Sequence, residues 1–201
     1  MARLERTFFA RDARIVARAL LGVTLSVERA GRTRAVRIVE TEAYRGPSDA
    51  ACHARFGVTR RTRSIFAAPG HAYVFLIYGM YDCFNVTCLA EGSGHAVLVR
   101  AGAPEAEADA RTDGPGRLTR ALGISRAAHD GIDLCAAASP ITFSPRARTP
   151  RVDVTARVGV AYAGHDAELP LRFVESASPF ASRPSPRSIG LGRGGARTRQ
   201  A

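Results

Sequence analysis

The sequence predicts an α+β fold: a single domain with a curved, largely antiparallel sheet, flanking short helices and a protruding β-hairpin. Three observations lead there. Strand-like runs outnumber helical ones, consecutive runs are joined by short glycine-containing connections, and 201 residues at 46% hydrophobic content supply the core of one ordinary domain.

Taken in order, Asp12 can cap a helix in which Ile15, Val16, Ala19 and Leu20 recur at helical spacing, with Gly22 suited to its end. Residues 23–27 and 34–44 read as strands joined through Ala30-Gly31. On the second, Val36, Ile38, Glu40, Glu42 and Tyr44 share parity, so a regular strand would carry Glu42 and Tyr44 on one face beyond an apolar base. Residues 45–71 are polar and Arg-rich between Gly46-Pro47 and Pro69-Gly70, and read as a long loop. AYVFLIY (72–78) and YDCFNVTCL (81–89), split by Gly79-Met80, read as the hairpin, with Tyr78 and Tyr81 at its tip. A strand over 96–100 follows. PEAEADAR after Pro104 and GPGRLTRALGI read as short helices, the second begun at Gly114-Pro115. Residues 141–143, 158–162 and 171–174 read as short strands.

Residues 1–182 form the expected domain, and 183–201, rich in Pro, Ser, Gly and Arg, the expected disordered basic tail. Net charge is +11, and removing the five tail arginines still leaves +6 on the folded part, which points to a polyanionic partner. There is no apolar run of membrane-spanning length, and the charged MARLERTFF start does not resemble a signal peptide, so no membrane partner and a cytoplasmic location are expected. Cys52, Cys83, Cys88 and Cys135 form no CxxC pair and read as small buried hydrophobes. All 29 basic residues are arginine, which closes Schiff-base chemistry on a lysine side chain.

Glu42 ends an apolar strand beside Tyr44 and ahead of a basic loop, where a carboxylate can serve as general base for water or simply pair with an arginine. Glu40 shares its face and competes for the role. Tyr44, Phe75, Tyr78 and Tyr81 interleave with arginines at 45, 55, 60, 61, 63 and 100, a combination that holds phosphates and stacks unpaired bases. For Phe75 an ordinary core position is the alternative. His53, His71 and His95 with the cysteines lack the spacing of a zinc deaminase, and Glu40, Glu42, Asp49 and Asp82 are scattered for a magnesium site, so no metal and no cofactor are expected.

RIVETEAYRGPSDAACHARF, PGHAYVFLIYGMYDCFNV and VLVRAGAP, in this order, resemble the alkyladenine (3-methyladenine) DNA glycosylase family. FFARDARIVARALLG, GPGRLTRALGI and RVGVAYAGHDAELPLRFV extend the likeness to about Ser182. The resemblance implies a monofunctional repair enzyme that flips alkylated or deaminated purines from duplex DNA and leaves an abasic site. It places Glu42 as the water-activating base, with Arg100 helping to position water and phosphate. Tyr44, His53 and Phe75 become walls of the base pocket, and Asn85 the residue disfavouring guanine's amine. Tyr78 fills the gap in the duplex, with Met80 and Tyr81 as DNA contacts. Phe75 departs from the family's usual tyrosine. The expected partner is duplex DNA containing damaged purines, met by a monomer at the nucleoid. A non-catalytic binder of damaged DNA or RNA and a metal-dependent nuclease are the other classes; Glu42 turnover and chelator sensitivity separate the three.

Overall fold

Hairpin chemistry builds the sheet. The computed structural model describes residues 2–105 and 111–183. Strands β1 (Thr24–Arg29) and β2 (Arg32–Arg45) meet at Ala30 and Gly31, whose φ values of 50° and 70° give the doubly left-handed turn that a two-residue hairpin requires. β3 (Ala72–Ile77) and β4 (Tyr81–Cys88) form the second hairpin, with Tyr78 at φ 53° and Gly79 at φ 69° in its turn. β5 (His95–Pro104) runs longer than the strand read from the sequence. With β6 (Ile141–Ser144), β7 (Val152–Thr155) and β8 (Arg172–Glu175) these make one eight-stranded sheet. Its order is β3-β4-β5-β2-β1-β6, β8 pairs with both β2 and β7, and the strand pairings are antiparallel.

The helices are α1 (Arg6–Phe9), α2 (Ala13–Leu20), α3 (Pro115–Leu122) and α4 (Arg126–His129). Asp12 caps α2 by accepting the Arg14 N–H at 2.9 Å. The buried stripe of α2 is Ala13, Val16, Ala17 and Leu20, while Ile15, placed on it by the sequence reading, is 53% exposed. In eight residues the stripe is set by the i, i+3, i+4, i+7 spacing from Ala13, which leaves Ile15 outside the arc. α3 opens on Pro115, ends in left-handed Gly123, and lays Leu118 and Leu122 into the core.

Strand alternation sorts the sheet into two faces. Ala72, Val74, Phe84, Val86, Val97 and Val99 enter the main core, where α2 packs. Their neighbours Tyr73, Phe75, Cys83, Asn85, Leu98 and Arg100 line a cavity on the other face. On β2 the alternation breaks. Ile38 pairs with Gly102 but Glu40 with Ala101, which makes Val39 an extra residue; Thr41 then pairs with Val99, which makes Arg100 the extra residue opposite. A bulge of this kind reverses the parity of everything beyond it. Val36 and Ile38 therefore lie in the core, but so do Ala43 and, through its 2.8 Å bond to the Ala17 carbonyl, Thr41. Glu40 and Glu42 leave the face of Val36 and Ile38 with which a regular strand would have aligned them.

Two further expectations are corrected. Residues 45–71 are not featureless loop: 3-10 turns at Gly46–Ser48, His53–Phe56 and Arg63–Phe66 set Cys52, Ala54 and Ile65 against the cavity face of the sheet. Residues 158–162, whose alternating valines mimic a strand, bend at Gly159 (φ 76°) into a 3-10 segment, Ala161–Ala167, while the strand of this region lies earlier, as β7. Gly159 breaks the extension, and the backbone N–H before it, of Val158, is turned inward to Glu42. Most of the PEAEADAR segment and the tail from 184 lie outside the described residues. Among those described, no helix is long and apolar enough to cross a membrane.

Candidate active site

The cavity has a volume of about 340 Å³, within the ordinary range for small-molecule sites. β2, β3, β4 and β5 supply its floor, the 45–71 connection one wall and the 158–162 segment the other. Tyr44, His53, Phe75, Tyr78, Asn85 and Arg100 all line it, so six side chains spread over 57 positions of sequence converge on one space. Met80 and Tyr81 do not line it; they stand exposed on and beside the hairpin tip, 70% and 46% accessible.

The aromatic wall is fixed by His53. Its ring meets Phe75 edge-on at 4.5 Å between centroids, and its Nδ1 lies 2.8 Å from the Tyr73 hydroxyl. Tyr73 was missed by the sequence reading. Its signal was parity: two residues before Phe75 on an alternating strand, it had to share that face. Burial, with the charges of Arg61 and Arg55 beside it, lowers the His53 pKa to about 4. A neutral ring at physiological pH follows, and it tolerates a cationic ligand. Because the folded value lies below the ordinary 6.5, the unfolded chain binds the proton first as pH falls. His53 thus contributes full stability above about pH 6.5, lost progressively toward pH 4. An NMR titration of the imidazoles should show this resonance midpoint near pH 4; a midpoint near 6.5 would place the ring in solvent instead.

Glu42 is fully buried beneath the cavity, behind three residues that line it. The Val158 N–H donates to its Oε1 at 2.8 Å, the Tyr44 hydroxyl to its Oε2 at 2.9 Å, and Arg100 Nη1 sits 3.3 Å from Oε2. Burial first, then the Glu42 charge, push the Tyr44 phenol well above its ordinary pKa, so it remains a donor. A carboxylate offers about four lone-pair sites. Two are taken by hydrogen bonds and Oε2 also faces Arg100, which leaves Oε1 with a single donor. Burial alone would lower the Arg100 pKa, but the charges of Glu42 and Glu40 raise it, so the guanidinium stays charged.

Glu40, the competing carboxylate, accepts four hydrogen bonds, three of them from Arg172 and Ser182, which do not line the cavity. Its Oε1 accepts from Arg100 Nε at 2.8 Å, Arg172 Nε at 2.7 Å and the Ser182 hydroxyl at 2.7 Å, and its Oε2 from the Ser182 N–H at 2.6 Å. Glu40 and Arg172 are both completely buried. The four charges of Glu40, Glu42, Arg100 and Arg172 balance. Asp49, entertained as a metal ligand, instead forms a buried two-pronged pair with Arg157 at 2.6 and 2.8 Å, and Arg157 lies 4.8 Å from the Tyr44 ring centroid. Among the described residues no three His, Cys, Asp or Glu side chains gather as a metal-binding group. The sequence reading also missed Arg157, Val158, Arg172 and Ser182. No short-range signal marks them, because each acts on a partner more than 100 residues away.

Asn85 donates from its amide nitrogen to the Tyr73 and Cys83 carbonyls at 3.0 and 3.3 Å, which settles its orientation at the cavity floor. A buried carboxylate held by cavity-lining residues, a charged guanidinium beside it and a neutral aromatic wall can hold a flat heteroaromatic group and deliver a deprotonated water next to it.

Comparison with known proteins agrees with this chemistry. The profile of the methylpurine-DNA glycosylase (MPG) family matches residues 7–179. The chain is 50% identical over 183 residues to a protein of Anaeromyxobacter sp. (strain Fw109-5), covering 90% of this chain and 93% of that one. It is 47% identical over 191 residues to one of Myxococcus xanthus (91% and 95% covered) and 42% identical over 199 residues to one of Methanocella arvoryzae (92% and 98% covered). All three are named as candidate 3-methyladenine DNA glycosylases. With a family match across nearly all of the described fold, the chain belongs to the methylpurine-DNA glycosylase family and is a DNA repair glycosylase, a hydrolase of N-glycosyl bonds.

Proposed function

We propose that this glycosylase flips alkylated or deaminated purines out of duplex DNA into the aromatic cavity and hydrolyses their N-glycosyl bond with a water activated by Glu42, leaving an intact abasic site. The observation that carries the reading is Glu42 itself, buried beneath the cavity and held by Tyr44, Arg100 and Val158, which line it, while its neighbour Glu40 is tied to Arg172 and Ser182, which do not. Arg100 holds the water and the nearby phosphate. Tyr44, His53 and Phe75 stack on the base, returning roughly 1–3 kcal/mol per base against the few kcal/mol that flipping costs. Asn85, fixed at the cavity floor by its bonds to the Tyr73 and Cys83 carbonyls, disfavours guanine's exocyclic amine by occupying the space it would need. An alkylated purine already carries positive charge and leaves readily, so the protein's task reduces to positioning water on the sugar.

The test is excision from duplex oligonucleotides carrying single 3-methyladenine, hypoxanthine or etheno-adenine lesions. Base should be released without strand cleavage, without a borohydride-trapped adduct and at the same rate in EDTA. A trapped adduct, or activity lost to chelator, would overturn the mechanism.

Tyr78 is the proposed wedge. It is 80% exposed at the hairpin tip and held at φ 53°, so its ring is presented to solvent rather than buried. Met80 and Tyr81 flank it as contacts to the duplex. Tyr78→Ala should weaken binding to a damaged duplex about ten-fold, the equivalent of one lost stack, with the melting temperature unchanged. Equal affinity in a fluorescence-anisotropy titration would remove the wedge role. The protein acts as a monomer in this reading.

A further inference from the structure

Arg100 reaches Glu42 with one nitrogen only. Its other two are held from behind, by Glu40 on Nε at 2.8 Å and by the Ser182 hydroxyl on Nη2 at 3.3 Å. A guanidinium is a rigid plane, so pinning the Nε–Nη2 edge determines where Nη1 points. It points at Glu42 Oε2, 3.3 Å away.

Ser182 arrives there by an unusual route. After β8 the chain turns at Ala177, which adopts φ 62°, and brings Ser182 in to 3% exposure. All of its polar groups are used on this one cluster. Its N–H and hydroxyl both donate to Glu40, its hydroxyl oxygen accepts from Arg100, and its carbonyl accepts from Arg172 Nη2 at 3.2 Å. Arg172 contributes the second positive charge that lets two carboxylates stand two residues apart in a buried site.

We infer that Ser182 is a positioning residue for the glycosylase reaction: the C-terminal strap that carries it completes the clasp on Arg100 and so sets the guanidinium edge against Glu42. The active site then extends past the last strand of the fold, into a segment with no contact to the cavity. Glu40 is the hub of this clasp and Ser182 its adjustable member, since Ser182→Ala removes one donor and one acceptor while its N–H bond to Glu40 survives. The inference rests on the proposed role of Glu42 and Arg100, and concerns the rate step rather than recognition of DNA.

The experiment compares full-length wild type, Ser182→Ala, Ser182→Thr and Glu42→Gln in single-turnover excision of a lesion from duplex DNA, with affinity for the same duplex and thermal melting measured in parallel. Ser182→Ala should slow excision about ten-fold, as expected of a small misplacement at a reacting centre, with affinity within two-fold. Ser182→Thr, which keeps the hydroxyl, should restore the rate. In an Arg100→Gln background Ser182→Ala should cost nothing more, because its effect runs through Arg100. An unchanged rate in Ser182→Ala, a loss that Thr fails to rescue, or a loss that persists undiminished in the Arg100→Gln background overturns the inference. Should Arg100→Gln fold poorly, the Ala/Thr pair alone decides. Full activity in Glu42→Gln would instead sink the catalytic reading; an inactive Glu42→Gln beside a fully active Ser182→Ala sinks only the clasp.

Discussion

Glu42→Gln should abolish base excision while leaving the protein folded and able to bind a damaged duplex. The amide keeps an oxygen for the Val158 N–H, 2.8 Å from Oε1 in the wild type, but turns a donor toward Arg100 Nη1, 3.3 Å from Oε2. Tyr44 can rotate its hydroxyl to accept; the guanidinium has no acceptor to offer. The structural cost is therefore one unmade buried contact, about 1–3 kcal/mol, which a domain of this size survives. The chemical cost is larger. A general base contributes about 10²–10⁴-fold, and the negative charge that faces a developing positive sugar is lost with it. Single-turnover excision should fall by at least about 100-fold, with the dissociation constant for lesion DNA held within a few fold. An excision rate equal to wild type would mean that water is activated elsewhere. Glu40 is the other carboxylate of the cluster among the described residues, and it is already engaged by four donors, three of them from Arg172 and Ser182, which do not line the cavity.

Asp49→Ala should produce the largest loss of stability. Both Asp49 and Arg157 are wholly buried, and Asp49 receives two bonds from Arg157 and the backbone N–H groups of Arg45 and Ala51 at 3.0 Å each. Truncation strands a guanidinium in the interior with only the Ala43 and Asp166 carbonyls. Breaking one side of such a pair costs about 3–5 kcal/mol, or roughly 10 °C in melting temperature for a chain of this length. Function should fall too, because Arg157 anchors the segment whose next residue, Val158, donates to Glu42.

A milder variant, Asp49→Asn, isolates the electrostatic part. Burial alone would raise the Asp49 pKa, but Arg157 and the two backbone donors hold it below the ordinary carboxylate value. A depressed folded pKa means the unfolded state binds protons first as pH falls. The stabilisation is thus complete above about pH 4 and is lost as acid titrates the folded carboxylate. Urea midpoints measured across this range should fall more steeply for wild type than for Asp49→Asn. Parallel slopes would mean that the pair is not the acid-labile element.

Much of this could be read from local pattern, and the exceptions are instructive. The Ala30-Gly31 turn, the 72–89 hairpin, the capped helix after Asp12 and the helix after Gly114 are all short-range events, decided by backbone propensities within a few residues, and each stands where the sequence placed it. The segment at 158–162 misled because alternating valines satisfy a strand pattern whether or not a partner strand exists. Tyr73 was within reach of the same alternation that singled out Phe75.

The amino-acid sequence by itself determined which side chains were available to do chemistry: an acid beside a tyrosine, an aromatic hairpin, a wealth of arginine and no lysine. Only the tertiary structure decided which of two glutamates lies against cavity-lining residues and which is tied to Arg172 and Ser182. A one-residue bulge at Val39 turns both off the core face, and Val158, Arg172 and Ser182, which arrive from more than 100 residues away along the chain, then tell them apart. Periodicity is a property of neighbours; the hydrogen bonding of a buried carboxylate is a property of whatever the fold brings against it.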